Sequence, residues 1–436
     1  MAAGSLALMM QACGDDSSSS SLVEFEGDDS SSSVETEKGS SDSKTDVKSS
    51  DSKAEAKSSE SKEDVKSSDS KDDSESAGSS DDEEKTADLT KLSAFVFTAD
   101  YSSGALRWME NGKLSKASET FFKDSKLVDA DGNIFILERM GADNIALLDK
   151  DSKKVKWQQA LDANGNPSDV VVRNGYAWVI EEDGDAVYCY KVADGEIQNA
   201  AIDLSGYVLE DGTSAHTVDL EVSGDTLFVL MQQWYGSYPS ITYPKGTLAL
   251  FKLDETDDDL LFKSALAEIE LQTSNPMSVK VVNGQVYVAS HGTYNAASGT
   301  DADANRGIEK VDLKNGTSTM FVSGTKLGGG VINMVVDNSK GVAYASVRGG
   351  SYGYGSVAVV TLATGDVKKV DGITGSDGGL AFDARTGILL VGVQDVYKPD
   401  YSGIEIPATL YAYDGKNVQK VEFADEATLP PYSIAF

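Results

Sequence analysis

The last six residues, Pro431-Tyr432-Ser433-Ile434-Ala435-Phe436, read as the opening of a repeat whose remainder stands more than three hundred residues earlier. Similar openings recur at Pro167-Ser168-Asp169-Val170, Pro276-Met277-Ser278-Val279, Val331-Ile332-Asn333-Met334 and Gly378-Gly379-Leu380-Ala381. A repeat divided between the two ends of a domain predicts a ring closed by its own termini.

A second pattern follows each opening. It is a turn with Gly or Asn, then alternating apolar residues with an aromatic near the start. Copies stand at Gly132–Ile136, Asn174–Val179, Gly224–Val229, Asn283–Val288, Lys340–Ala345 and Thr386–Val391, and a seventh, Ala94–Phe97, opens the series. Third strands are expected at Ala105–Glu110, Asn144–Lys150, Ala186–Val192, Gly246–Leu253, Gly307–Leu313, Ser356–Leu362 and Ala408–Tyr413. Fourth strands are expected at Lys154–Ala160, Glu196–Leu204, Leu260–Leu271, Gly316–Ser323, Val367–Val370 and Val418–Phe423. Four short antiparallel strands per unit, seven units and period-two alternation predict an all-β fold, a seven-bladed β-propeller over residues 91–436. The first unit lacks its opening strand, and the C-terminal strand supplies it, covering the edge an open sheet would expose.

Composition divides the chain. Residues 14–90 are almost entirely Ser, Asp, Glu, Lys and Ala, with a nine-residue repeat from Ser40 (SSDSKTDVK, SSDSKAEAK, SSESKEDVK). Such a segment has no apolar surface to offset its ordering entropy and reads as a disordered Ser/Asp/Lys-rich tether, with a root-mean-square reach of roughly 50 Å. It holds 24 acids against 9 lysines; the rest holds 47 against 29 bases, and the whole chain carries −33. Both parts are acidic, which argues against nucleic acid and against anionic lipid surfaces as partners. Cys13 follows the short apolar run Ala3–Ala12 and precedes a serine tract, which resembles a bacterial lipoprotein signal over residues 1–13. No Lys or Arg precedes the run, and Met10 and Gln11 depart from the usual lipobox. This resemblance implies a lipid-anchored, extracytoplasmic protein of the cell envelope. Cys189, inside an expected strand, reads as a small buried apolar residue.

The Val286-Tyr287-Val288-Ala289 type of repeat is similar to the YVTN and quinoprotein-like seven-bladed propellers of bacterial extracytoplasmic proteins. The likeness covers most of 92–436. It implies the fold and no particular activity, since propellers of this kind include quinone-dependent dehydrogenases, lactonases and polysaccharide lyases.

The loops joining second and third strands are short in the first three blades and long in the last four: Gln233–Lys245, Gly292–Arg306, Gly349–Gly355 and Asp395–Pro407. They share one face, and eight of the 18 tyrosines fall within them. Trp234, Tyr235, Tyr238, Tyr243, Tyr294, Tyr352, Tyr354, Tyr397 and Tyr401 are therefore the expected contact residues, because rigid amphipathic rings suit sugars and protein surfaces alike. The same rings would also serve to pack the loops. A polar residue stands four positions after the recurring aromatic in all seven units: Asp100, Arg139, Glu182, Gln232, His291, Arg348 and Gln394. Two readings stand: a polar pocket at the channel mouth, with Arg139, His291 and Arg348 binding ligand, or strands turning polar where they meet water.

Asp301, Asp303 and Asn305 resemble the first half of a calcium loop, with the glycine displaced by one. Calcium is the one metal so indicated; two distant histidines and no cysteine cluster argue against zinc. Neither histidine sits in a nucleophile motif, so no Ser–His–Asp arrangement is legible. The expectation is a monomeric, tethered binding protein without a cofactor. Its partner is an envelope or extracellular protein, or an extracellular glycan; the membrane is met only through the anchor. The alternative is an enzyme acting on a carbohydrate or lactone at the channel mouth through Arg139, His291 and Arg348.

Overall fold

A computed structural model describes residues 87–436 except 101, 119, 238–239, 254–264, 296–299, 302–304, 350–353, 376, 399, 401 and 426–428, and leaves aside the side chains of 199, 200, 294, 295, 300 and 301. Cys13 and most of the expected tether lie outside the described residues. Among the described residues the strands form seven radial blades. Blade one joins Pro431–Ala435 to Phe95–Ala99 and Gly104–Glu110, with Lys113–Leu114 and Thr120–Phe121 both on its outer side. Blades two to four run Ser125–Ala130 to Lys154–Ala160, Pro167–Arg173 to Ile197–Asp203 and Thr217–Ser223 to Ala267–Ser274. Blades five to seven run Pro276–Val282 to Thr317–Ser323, Gly330–Asp337 to Val367–Lys369 and Asp377–Asp383 to Val418–Lys420.

The blade turns follow from backbone sterics. Asp131-Gly132, Asn174-Gly175 and Asn283-Gly284 all take positive φ at both residues, the two-residue turn whose twist matches paired strands. The outer strand of blade four, expected from Leu260, is described from Ala267, residues 260–264 lying outside the described residues, and blade one carries two short outer pieces.

Alternation along each strand sends apolar side chains to both faces of a blade, so a core layer forms between neighbours rather than at one centre. There is one layer for each adjacent pair. Trp178, Val187 and Cys189 of blade three meet Leu220 and Val229 of blade four. The seventh layer puts Leu390 and Leu410 of blade seven against Val96, Leu114 and Ile434 of blade one, and Ala87 and Leu89 pack on it. The ring is thus closed by burial as well as by pairing.

Closure itself is antiparallel, with Phe95 opposite Ala435 and Val96 opposite Ile434. Blade seven makes room for the returning strand with glycine: a Cβ on Gly392 would stand 2.3 Å from the Pro431 carbonyl oxygen. Arg107, 1% exposed, ties the junction. Its Nη1 donates to Asp425 Oδ1 (2.7 Å) and the Ser115 carbonyl (2.9 Å), and its Nε to Thr98 Oγ1 (3.2 Å).

Each innermost strand has an edge that no strand covers. Side chains from the preceding blade satisfy it. Ser433 Oγ accepts from Leu127 N (2.8 Å), Asp169 Oδ2 from Leu220 N (2.8 Å) and Asp219 Oδ2 from Val279 N (2.7 Å). Carbonyls are met the same way, by Lys126 Nζ on Ser168 (2.7 Å) and Ser168 Oγ on Thr217 (2.9 Å). The cost is buried charge. Burial and then the Asp219 carboxylate push Asp169 well above the usual carboxylate range, with Lys126 and Lys280 opposing. Burial pushes Glu221 up to about 7 against the pull of Lys280. Glu181, fully buried, is pushed up to about 8 by burial and by Asp162.

Two outcomes follow. Asp425→Ala removes a 2.7 Å carboxylate partner from the buried Arg107 guanidinium and should cost about 3 kcal/mol of stability, read by equilibrium urea unfolding; a loss within error of zero would show that the latch is dispensable. The second concerns pH. Unfolded carboxyls titrate near pH 4, so between about pH 4 and pH 8 these three carboxyls hold more protons folded than unfolded. Their contribution to stability therefore falls as pH rises through that window. Glu181→Gln should remove part of that slope and raise stability by on the order of 1 kcal/mol at about pH 9, with little change at about pH 5. An unaltered slope would take Glu181 out of the account.

Candidate functional site

The polar positions at the ends of the second strands join one blade to the next. The backbone N–H of Arg139, Glu182, Gln232 and His291 donates to the carbonyl of Asp124, Asn166, His216 and Asn275 respectively, at 2.9 to 3.0 Å. These accepting residues stand just before the first strand of the same blade. Asn166, His216, Asn275 and Asp377 each hold a left-handed backbone there (φ 57, 49, 50 and 67), a conformation that costs Asn and Asp least. The side chain then reaches the same position in the following blade. Arg139 Nε donates to Asn166 Oδ1 (3.0 Å) and its Nη2 to Glu182 Oε2 (2.8 Å). Gln232 Nε2 donates to Asn275 Oδ1 (2.7 Å) and to the Pro276 carbonyl (3.1 Å). Arg348 donates to Asp377 Oδ1 from Nε (2.9 Å) and Nη2 (2.6 Å).

Asp100 departs from this scheme. It is exposed, and its Oδ1 accepts from Ser102 and Ser103 to close its own turn. His291 and Gln394 are buried at 3% and 9% exposure. His291 packs so closely on blade six that a Cβ on Gly330 would stand 2.0 Å from its carbonyl oxygen. Burial, with Arg348 adding to it, holds the His291 imidazole down to about 3, so the ring is neutral at any physiological pH. Arg139 and Arg348 thus bond across blade junctions, and His291 packs against blade six.

The fold brings together a serine, a histidine and a carboxylate that spacing did not reveal. Ser214 Oγ lies 3.1 Å from His216 Nδ1, and Asp183 Oδ1 lies 3.5 Å from the same nitrogen. Both partners meet one ring nitrogen, so no proton can pass from serine through the ring to the carboxylate. Ser214 Oγ donates to the Glu182 carbonyl (2.9 Å), and burial holds His216 down to about 4. The Trp234 indole stacks on His216 with centroids 3.7 Å apart and planes 15° from parallel. Trp234 is 6% exposed, and one face of its ring is spent on that stack.

The remaining contact candidates divide. Tyr238, Tyr352, Tyr401 and Asp303 lie outside the described residues. Tyr235 and Tyr243 are half-buried in a loop pinned by paired bonds between Tyr235 and Thr242 (3.1 and 2.9 Å). Tyr294 and Asp301 face each other across a short hairpin, Tyr294–Asn295 with Thr300–Asp301, and Asn305 is exposed beyond it. Among the described residues no group of three His, Cys, Asp or Glu side chains is placed to hold a metal. Blade seven raises a second hairpin, Val396–Tyr397 with Ile404–Ile406. Tyr397 and Ile404 oppose each other there and are 39% and 47% exposed.

Beside that hairpin lies a cleft of ≈ 240 Å³ walled by Tyr354, Ser356, Lys369, Thr374 and Ile406, with glycine backbone between them. It sits where the second-to-third-strand loop of blade six meets the link to blade seven. Gly375 N donates to the Gly355 carbonyl (3.2 Å) across it. At the rim the Tyr354 hydroxyl donates to Glu405 Oε2 (2.6 Å). Of the expected aromatics, Tyr354 and Tyr397 thus fall in the same region. Ser356, Lys369, Thr374 and Ile406 were not expected; the glycine runs 328–330 and 372–379 were the signal, since small residues at loop bases leave room for a concavity.

No family model matches the chain, and no curated protein matches it in sequence. Among solved structures, a protein from Lactobacillus plantarum is similar at 15% identity and a TM-score of 0.54, over 79% of this chain and 99% of that one. The dihydro-heme d1 dehydrogenase NirN in complex with DHE aligns at 13% identity and a TM-score of 0.45, over 81% of this chain and 76% of that one. Hydrazine synthase from Kuenenia stuttgartiensis aligns at 12% identity and 0.45, over 69% and 95%. The Lactobacillus plantarum likeness is one of fold, a β-propeller.

Proposed function

We propose that this chain is a non-catalytic binding protein of the bacterial cell envelope, engaging a protein or glycan partner through the long-loop face of blades four to seven. The single observation that carries this reading is the blade-seven hairpin. It sets two large apolar side chains, Tyr397 and Ile404, opposite each other and in water, next to a cleft. Paired with each other and set beside a cleft, these side chains suit a contact surface. The anchor at Cys13 and the tether belong to the same proposal. A spacer with a reach of roughly 50 Å would hold the propeller clear of a membrane and leave its loop face free to meet a partner. Kinship with YVTN and quinoprotein-like propellers fits this placement and adds no chemistry to it. A calcium ion at Asp301, Asp303 and Asn305 would, in this reading, order the blade-five hairpin on the same face. The enzymatic alternative draws no support from Arg139 and Arg348, whose bonding groups are spent on neighbouring blades.

Full-length chain immobilised and exposed to a glycan array and to a detergent extract of its own envelope should retain a saturable partner. Tyr397→Ala combined with Ile404→Ala should weaken that binding at least about tenfold, a loss of ~1.4 kcal/mol, without shifting the urea midpoint. Trp234→Ala should behave in the opposite way, costing about 3 kcal/mol of stability through the lost stack and cavity. Undiminished binding by the double variant would remove the hairpin from the function.

A further inference from the structure

The geometry points to a single pyranose ring, the end residue of a glycan chain, as the occupant of the cleft between blades six and seven; this rests on the loop-face reading above. Size is the first argument. Pockets for drug-sized ligands run from about 300 to 1,000 Å³, and a cleft of ≈ 240 Å³ is of a size to seat one six-membered ring.

Chemistry is the second. Ser356 and Thr374 offer hydroxyls that both donate and accept, which is what sugar hydroxyls require. Lys369 lines the cleft as a donor, and Glu405, held at the rim by the Tyr354 hydroxyl at 2.6 Å, stands as an oriented acceptor. Charges of both signs at one small site disfavour a ligand that carries a single charge, since an anion meets Glu405 and a cation meets Lys369. A neutral polyhydroxylated ring satisfies both, donating to the carboxylate and accepting from the ammonium. Ile406 and the Tyr354 ring supply apolar surface for the C–H face of the sugar. The third argument is continuity. Ile406 belongs to the same short strand as exposed Ile404, which faces Tyr397 across the hairpin. A glycan whose terminal ring enters the cleft can lay its next residue on that apolar pair.

The test uses full-length chain and the methyl glycosides of glucose, galactose, mannose and N-acetylglucosamine, each titrated by saturation-transfer NMR. At least one should bind saturably. Thr374→Trp, at an exposed loop position, should fill the cleft and abolish the signal. Tyr354→Ala should weaken it about tenfold, or ~1.4 kcal/mol. Circular dichroism and the urea midpoint confirm that each variant is folded. No binding by any of the four glycosides, or binding that survives Thr374→Trp, overturns the assignment. Partner capture that still depends on Tyr397 and Ile404 would then leave the loop-face reading standing and refute the sugar alone. Loss of dependence in both assays would refute both.

Discussion

The constraint on which this molecule depends is the inner edge of each blade. A radial sheet can pair its outer strands with one another, but its first strand must turn one row of N–H and C=O groups toward the axis. Those groups cannot go unpaired where Leu127, Leu220 and Val279 are buried. The chain meets the demand with side chains from the neighbouring blade: Ser433, Asp169 and Asp219 on N–H groups, Lys126 and Ser168 on carbonyls. Blades two to six are therefore each completed in part by the one before. A ring of mutually completing blades has no natural end, which is why the returning strand Pro431–Ala435 matters beyond its own hydrogen bonds. It brings Ser433, and with it the partner for blade two.

The same dependence explains the buried charge. Carboxylate and hydroxyl meet the inner N–H groups equally closely, Asp169 and Asp219 at 2.8 and 2.7 Å and Ser433 at 2.8 Å, so the buried carboxylates add charge that serine does not. Lys280 is the counterweight, 3.1 Å from Asp219 and 3.9 Å from Glu221. Four ionisable groups between three blades cost desolvation, and the protons held there at neutral pH are the visible sign of that cost.

Much of this was legible in the sequence, and the illegible part has a common cause. Period-two alternation and Asn-Gly or Asp-Gly turns are local, so strands such as Asn133–Glu138 and Gln285–Ser290 could be read directly. The split repeat gave the closure, because Pro431–Phe436 has the pattern of a first strand and no second strand after it. The mouth positions were legible as polar and not as joints. Their partners, Asn166, Asn275 and Asp377, are defined by a left-handed backbone and by a blade some 27 to 43 residues away. Asn-Pro at 166–167 and 275–276 was the available clue, since the residue before proline is barred from the right-handed helical region. Ser214, His216 and Asp183 escaped for the same reason: their meeting depends on the angle between two blades.

The aromatics show how composition misleads about exposure. Trp234 and Tyr397 stand in equivalent loops, in similar sequence surroundings, and the sequence ranks them alike. They part because of what each loop base offers. The base of the blade-four loop presents His216, a neutral buried ring with a free face, and Trp234 closes over it. Gln233 beside it is bonded to Thr247 (2.7 Å) and to the Tyr207 carbonyl (2.9 Å), so the loop lies down on its own blade. The base of the blade-seven loop offers glycine and a short hairpin that stands away from the sheet. Tyr397 finds Ile404 across the strand and no roof above it. A ring that folds its loop is removed from the surface by that act. A ring left out by a hairpin that is already satisfied in its backbone is available for something else, and this difference makes blade seven, not blade four, the place to look for a partner.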